Sequence, residues 1–172
     1  MKKDFVLPII VLSVISLFVS GVLAMGYGMT QPVIEAAASQ RAEIARKEVI
    51  PQADGFVLLE LEGLPKRITD VYGTTNNVGF VFMISTVGYG GEIKLICGID
   101  PEGKIIKTAT LSQTETKGIA TKVFDQEARY IGKDKKLEGT DAISGATITS
   151  NAYKNGIREA FEAFEIVKGT QL

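Results

Sequence analysis

The sequence predicts an α+β protein: an N-terminal transmembrane helix, then one domain built of an antiparallel sheet with flanking helices. Three observations carry this. Phe5 to Met29 holds no charged residue, residues 56–111 contain five β-branched or aromatic runs separated by turn residues, and residues 150–167 show an apolar stripe at helical spacing. A chain of 172 residues has room for one domain of ordinary size plus an anchor.

At about 1.5 Å of rise per residue, Phe5 to Met29 is long enough to cross a hydrocarbon core of about 30 Å. Lys2 and Lys3 precede it, and the first basic residue after it is Arg41. The positive-inside rule therefore puts the N-terminus in the cytoplasm and the rest of the chain outside. Val22-Leu23-Ala24 has the small-residue look of a signal cleavage site, but the apolar run exceeds the roughly 7–15 residues of a signal peptide. The reading is an uncleaved anchor. No cysteine follows at its end, which excludes a lipoprotein.

Thr30 to Val49 carries alanines and alternating charge between Pro32 and Pro51, with Ile34, Ala38, Ala45 and Val49 at roughly helical spacing. A juxtamembrane helix is expected, continuing from the anchor or packing beside it, as a spacer without chemistry. The divisions are then 1–29 for the cytoplasmic N-terminus and anchor, 30–51 for the juxtamembrane helix, and 52–172 for the domain.

From Gly55 the period changes. Phe56 to Leu61, Ile68 to Tyr72, Val78 to Val87, Glu92 to Ile99 and Lys104 to Leu111 read as strands. Asp100-Pro101-Glu102-Gly103 is a turn, so the last two runs form a hairpin. Cys97 sits among apolar residues and reads as a small buried hydrophobe. Val87-Gly88-Tyr89-Gly90-Gly91-Glu92-Ile93 sets three glycines around an aromatic at a strand boundary, where a tight turn, a bulge or close approach of a ligand would each need them.

Beyond the strands, Gly118 to Tyr130 is expected as a helix with Ile119, Val123, Phe124 and Ala128 as its apolar face. A charged loop from Gly132 to Gly139 follows. The final helix, from about Ser150 to Val167, carries Tyr153, Ile157, Ala160, Phe161, Phe164 and Val167 on one side, as a core-packing helix does.

Between that loop and that helix lies Asp141-Ala142-Ile143-Ser144-Gly145-Ala146-Thr147-Ile148-Thr149-Ser150. Hydroxyls and a carboxylate crowd a small-residue turn where a helix begins. A helix N-terminus offers unpaired N–H groups and the positive end of the dipole, so a phosphate is held well there. Gly145 and Ala146 allow close approach to the backbone, and Thr147 adds a hydroxyl. The same residue types also serve ordinary capping, for which Thr149 or Ser150 suffices.

Asp141-x-x-Ser144-Gly145-Ala146-Thr147 resembles the flavinylation motif of the FMN-binding domain family shared by RnfG subunits of Rnf electron-transport complexes and NqrC subunits of sodium-pumping quinone reductases. In that family a flavin transferase, with FAD as donor, esterifies the motif's last threonine to the phosphate of FMN. The resemblance implies covalent FMN on Thr147, with Asp141, Ser144, Gly145 and Ala146 around it. Asp141 could orient Ser144 or Thr147, help the transferase or its metal, or cap the turn. The glycine-rich turn resembles the family's Gly-Tyr-Gly-Gly segment near the flavin, which adds Tyr89, Gly90 and Gly91; Tyr89 stacks on the ring or simply packs. Thr114 to Ala120 departs from the family's Glu-Thr-Pro-Gly-Leu-Gly: Glu115, Thr116 and Gly118 are kept, while Lys117 replaces the proline and Ile119 and Ala120 replace the last two residues. The loop's backbone N–H groups and the Thr116 hydroxyl would meet the ribityl chain or phosphate.

The function so implied is an electron-carrying subunit of a membrane-bound, ion-translocating oxidoreductase, closest to RnfG and not catalytic alone, with its FMN domain extracytoplasmic. Implied partners are the other membrane and redox subunits and the transferase. Three other readings stay open: an NqrC-like subunit of a sodium-translocating NADH:quinone reductase, an anchored extracytoplasmic binding or sensor module, and a structural scaffold. Members of the NqrC branch tend to be longer than this chain. Composition adds exclusions. With no histidine there is no Ser–His–Asp triad and no histidyl-linked flavin or haem. One cysteine makes neither an intrachain disulfide nor an iron–sulfur site. A formal net charge of −1 without a basic patch argues against nucleic acid.

Overall fold

A computed structural model of the chain describes residues 2–118 and 120–170. Two compact units emerge, residues 1–41 and 42–172. The first consists of most of helix α1, Lys2–Val49, which is unbroken by Pro8 and Pro32. The juxtamembrane segment is therefore a continuation of the anchor helix. Its residues 6–40 are exposed, and it is the one helix among the described residues long and apolar enough to cross a membrane. In hydrocarbon each backbone polar group must be satisfied within its own segment, which a continuous helix achieves.

The second unit is an antiparallel meander of five strands in the order β1-β2-β3-β4-β5. The strands are β1 Phe56–Leu58, β2 Ile68–Thr74, β3 Phe80–Val87, β4 Glu92–Ile99 and β5 Ile105–Gln113. The prediction for β4 matches residue for residue. β1 is shorter than expected, because its chain leaves the sheet after Leu58 and turns through Gly63 and Pro65. β3 begins at Phe80, since Asn77 and Gly79 take the turn from β2. A register shift between Ile68 and Asp70 turns Ile68 and Val71 to the same side of the sheet.

Helix α2, Thr147–Thr170, covers one face. All six residues of the expected stripe are buried there, against Phe82, Ile84, Leu95 and Ile99. Phe164 meets Phe80 and Phe82 edge-on, with ring centroids 5.9 and 6.5 Å apart. Arg67 pairs with Glu159, tying β2 to the helix. The other face is closed by the last turns of α1. Ala45, Val49 and Ile50 pack on Val81 and Ile96, Arg46 lies 4.3 Å over the Tyr72 ring, and Glu48 pairs with Lys107 at 2.6 Å. Both faces of the sheet are thus dry, which is why β3 and β4 read as nearly continuous apolar runs.

The expected helix over 118–130 is corrected. Ala120–Tyr130 is a 3₁₀ segment, broken at Gln126 with φ −109° and ψ 22°. Val123 and Tyr130 are buried and Phe124 is half-buried, but Ala128 is exposed, and Ile119 lies outside the described residues. The physical reason is polar. Thr121 Oγ1 folds back onto the Gly118 carbonyl at 2.8 Å, and Glu127 turns inward to accept from Thr110 and Tyr153. These bonds compete with a regular helical repeat.

Candidate functional site

The first turn of α2 starts three residues earlier than expected. Ser150 N donates to the Ala146 carbonyl at 2.9 Å, so Ala146 occupies the N-cap position and Thr147 is the first helical residue. A methyl side chain cannot cap. Among the described residues, the N–H groups of Thr147, Ile148 and Thr149 have no acceptor. The capping expected of Thr149 or Ser150 does not occur. Ser150 Oγ instead accepts from Ile143 N at 3.1 Å, holding the preceding loop against the helix. Gly145 has φ +81°, a left-handed conformation natural to glycine, and Ala146 N closes the turn on the Ile143 carbonyl at 2.9 Å.

Thr149 was not singled out by sequence reasoning as a ligand contact. It is 1% exposed, and its hydroxyl oxygen has no hydrogen-bond partner. Among the described residues it is one of several buried polar atoms without a partner, and a buried hydroxyl left unpaired is destabilising by about 1–3 kcal/mol. Only the helix start at Thr147 reveals it, since Thr149 is then the third residue of the first turn.

A cleft of about 300 Å³ opens at this helix start, lined by Tyr89, Ala120, Gly145, Ala146, Thr147, Ile148 and Thr149. Four of the eleven residues expected at the site, Tyr89, Gly145, Ala146 and Thr147, therefore meet on one surface. Tyr89 is 74% exposed and Ile148 58%, and both contribute apolar or aromatic surface to the lining of the cleft. Thr147 and Ser144 are exposed to solvent.

The remaining seven are not part of the lining. Gly90 and Gly91 form the β3–β4 turn that presents Tyr89, closed by Gly88 N donating to the Gly91 carbonyl at 2.8 Å. Glu115 is 7% exposed, and its Oε2 accepts from Gly90 N at 3.1 Å. A side chain at Gly90 would sit 2.7 Å from the Thr114 carbonyl, so the glycines let this turn lie directly on the Thr114–Glu115 segment. Glu115 thus holds the turn that carries Tyr89. Thr116 and Gly118 are exposed on the loop before Ala120, Gly118 at φ +119°. Asp141 meets its neighbours through its backbone: its carbonyl accepts from Arg129 Nη1 at 3.0 Å. Among the described residues its carboxylate bonds neither Ser144 nor Thr147.

Beneath the 3₁₀ segment, burial pushes the Glu127 carboxyl above its ordinary pKa; the bonds from Thr110 and Tyr153 offset part of this, and the charge of Glu48 adds to the rise. Burial likewise raises the Tyr153 and Tyr130 phenols. Cys97 is fully buried, and burial drives its thiol pKa far up, so it packs and does not react.

Residues 88–162 match the FMN-binding domain family. Over most of its length the chain is similar to the G subunit of the proton-translocating ferredoxin:NAD(+) oxidoreductase complex of Clostridium ljungdahlii, 29% identical over 86% of this chain and 85% of that protein. It is also similar to the G subunit of the Na(+)-translocating ferredoxin:NAD(+) oxidoreductase complex of Acetobacterium woodii, at 28% over 91% of this chain and 89% of that one. A third relative, the G subunit of the ion-translocating oxidoreductase complex of Methanosarcina acetivorans, is 27% identical over 98% of both chains.

Proposed function

We propose that this chain, a relative of these G subunits with an FMN-binding domain at residues 88–162, is the electron-carrying flavoprotein subunit of a membrane-bound, ion-translocating ferredoxin:NAD oxidoreductase complex. FMN is held covalently, through a phosphoester to Thr147. The observation that carries the attachment is the uncapped first turn of α2, where among the described residues the N–H groups of Thr147, Ile148 and Thr149 have no acceptor and Thr147 is exposed. Those donors suit a phosphate, and the Tyr89 and Ile148 surface suits a planar apolar ring.

Bound FMN supplies one- and two-electron redox chemistry. The protein's part is attachment and environment. The N–H groups of Thr147, Ile148 and Thr149 would hold the phosphate, and the dipole of the 24-residue α2 would favour its negative charge. A link through phosphate leaves the ring unmodified, so the redox potential is set by packing and hydrogen bonds. Tyr89 and Ile148, which line the cleft, would shield the ring from water. A covalent tether also prevents loss outside the cytoplasm, where free FMN is scarce.

The anchor holds the domain on the extracytoplasmic side of the membrane, N-terminus inside, beside the other redox subunits. Ferredoxin and NAD, both cytoplasmic, do not touch it. Flavin attachment requires a separate flavin transferase.

The test is the intact mass of the chain purified from its native membrane, beside a Thr147→Ala variant, with in-gel flavin fluorescence after denaturation. The expected wild-type excess equals FMN less one water and is absent from the variant. An unmodified wild-type mass from a host that contains the transferase would sink the covalent-carrier reading.

A further inference from the structure

Two consecutive carbonyls at the start of the attachment loop are each held by a cation from a different element. Arg129, near the end of the 3₁₀ segment, donates through Nη1 to the Asp141 carbonyl at 3.0 Å. Lys154, on α2, donates through Nζ to the Thr140 carbonyl at 3.1 Å. Among the described residues neither cation has a carboxylate within ion-pair distance. Each donates to the backbone of the same loop.

Arg129 is itself held in place. Its guanidinium lies 5.2 Å over the ring of Tyr130, which is fully buried and packs 5.3 Å from Tyr153, and Nη1 also reaches Gln126 Oε1 at 3.3 Å. Downstream the loop is fastened by Ser150 Oγ to Ile143 N. Between these fastenings and the helix start lie Ser144 and Gly145, exposed and without hydrogen bonds among the described residues.

We propose that Arg129 and Lys154 are positioning residues for flavin attachment, locking Thr140–Asp141 so that the Ser144-Gly145-Ala146 turn and the Thr147 hydroxyl are presented in one geometry. This rests on the reading of Thr147 as the attachment site. Two charge-assisted bonds, each roughly twice as strong as a neutral one, fix the loop more firmly than neutral bonds would, and a group-transfer reaction gains from that. The ester from Thr147 Oγ1 to the flavin phosphate forms as the pyrophosphate bond of FAD breaks, AMP leaves, and the hydroxyl proton passes to solvent or to the transferase. Misplacing an attacking group by about 1 Å slows such a step on the order of 10²-fold. The two cations also bring unneutralised positive charge to the loop where an anion is to be fixed.

The test uses the full chain in detergent, prepared flavin-free, with FAD and the transferase. The expected result for Arg129→Gln with Lys154→Met is a kcat for flavin transfer lowered at least tenfold, a KM for the chain nearly unchanged, and faster hydrogen exchange at the amides of residues 142–146. Either single variant falls between, and Arg129→Lys recovers part of the rate. Arg158→Gln, which removes a cation on α2 whose hydrogen bond is to Asn155, leaves the rate unchanged. If the double variant does not fold, the single variants decide. Wild-type kcat and unchanged exchange in the variants would overturn the proposal while leaving flavin attachment intact, and so would a loss confined to KM. A wild-type chain that takes no flavin would remove the attachment reading and this proposal with it.

Discussion

Thr149 and Glu127 are both polar groups within the fold, and they differ in what answers them. Thr149 lines the cleft and keeps a hydroxyl with no partner among the described residues. Glu127 is answered by Thr110 and Tyr153, yet burial still raises its pKa. The folded state therefore prefers the protonated carboxyl. That contribution to stability is full below the ordinary carboxylate range and is lost as pH rises through the raised folded value. Glu127→Gln keeps an acceptor for both hydroxyls and carries no charge. Its melting temperature is expected to exceed that of the wild type at pH 8 and to converge with it near pH 4, read by thermal melts across a pH series. A gap that widened on acidification would contradict the assignment.

At the scale of elements, the last turns of α1 act as part of the domain core. Val49 and Ile50 are fully buried on the face of the sheet opposite α2, and a side chain at Gly98 would run into both. Ile50→Ala is expected to destabilise the domain by about 2–5 kcal/mol, the range for a large buried aliphatic cut to alanine. A chain beginning at residue 42 should give a cooperative melt, whereas one beginning at residue 52 leaves Val81 and Ile96 uncovered and should aggregate or melt tens of degrees lower. Equal melting of the two would show that the helix end is only a tether. The polar ties of the 3₁₀ segment belong to this scale too: Glu127 fastens it to β5 and α2, while Arg129 fastens it to the loop before Thr147.

For the whole molecule, the chain divides into residues 1–41 and 42–172, and the proposed function assigns membrane attachment to the first and flavin chemistry to the second. The full chain is expected to stay in the membrane pellet after alkaline carbonate washing, and a chain starting at residue 42 is expected in the supernatant. Protease added to the outer side of intact spheroplasts should remove the C-terminal unit and spare an N-terminal tag. Protection of the C-terminal unit would reverse the orientation drawn from Lys2 and Lys3.

The amino-acid pattern by itself determined the elements whose signal is local. An uncharged run of spanning length, alternating β-branched residues between turn formers, and a stripe on α2 depend on neighbours in sequence. The motif around Thr147 was equally legible, because a small-residue turn before a helix is a contiguous feature. Tertiary structure decided what depends on distant partners. Only the packed sheet shows that α1 covers its second face, and only the contacts of Glu127 with Thr110 and Tyr153 explain why 120–130 is 3₁₀ rather than a regular helix. Glu115 became the support of the Tyr89 turn, and Thr149 became the unanswered hydroxyl, for the same reason. A buried polar atom is defined by what lies beside it in space, and sequence spacing does not carry that information.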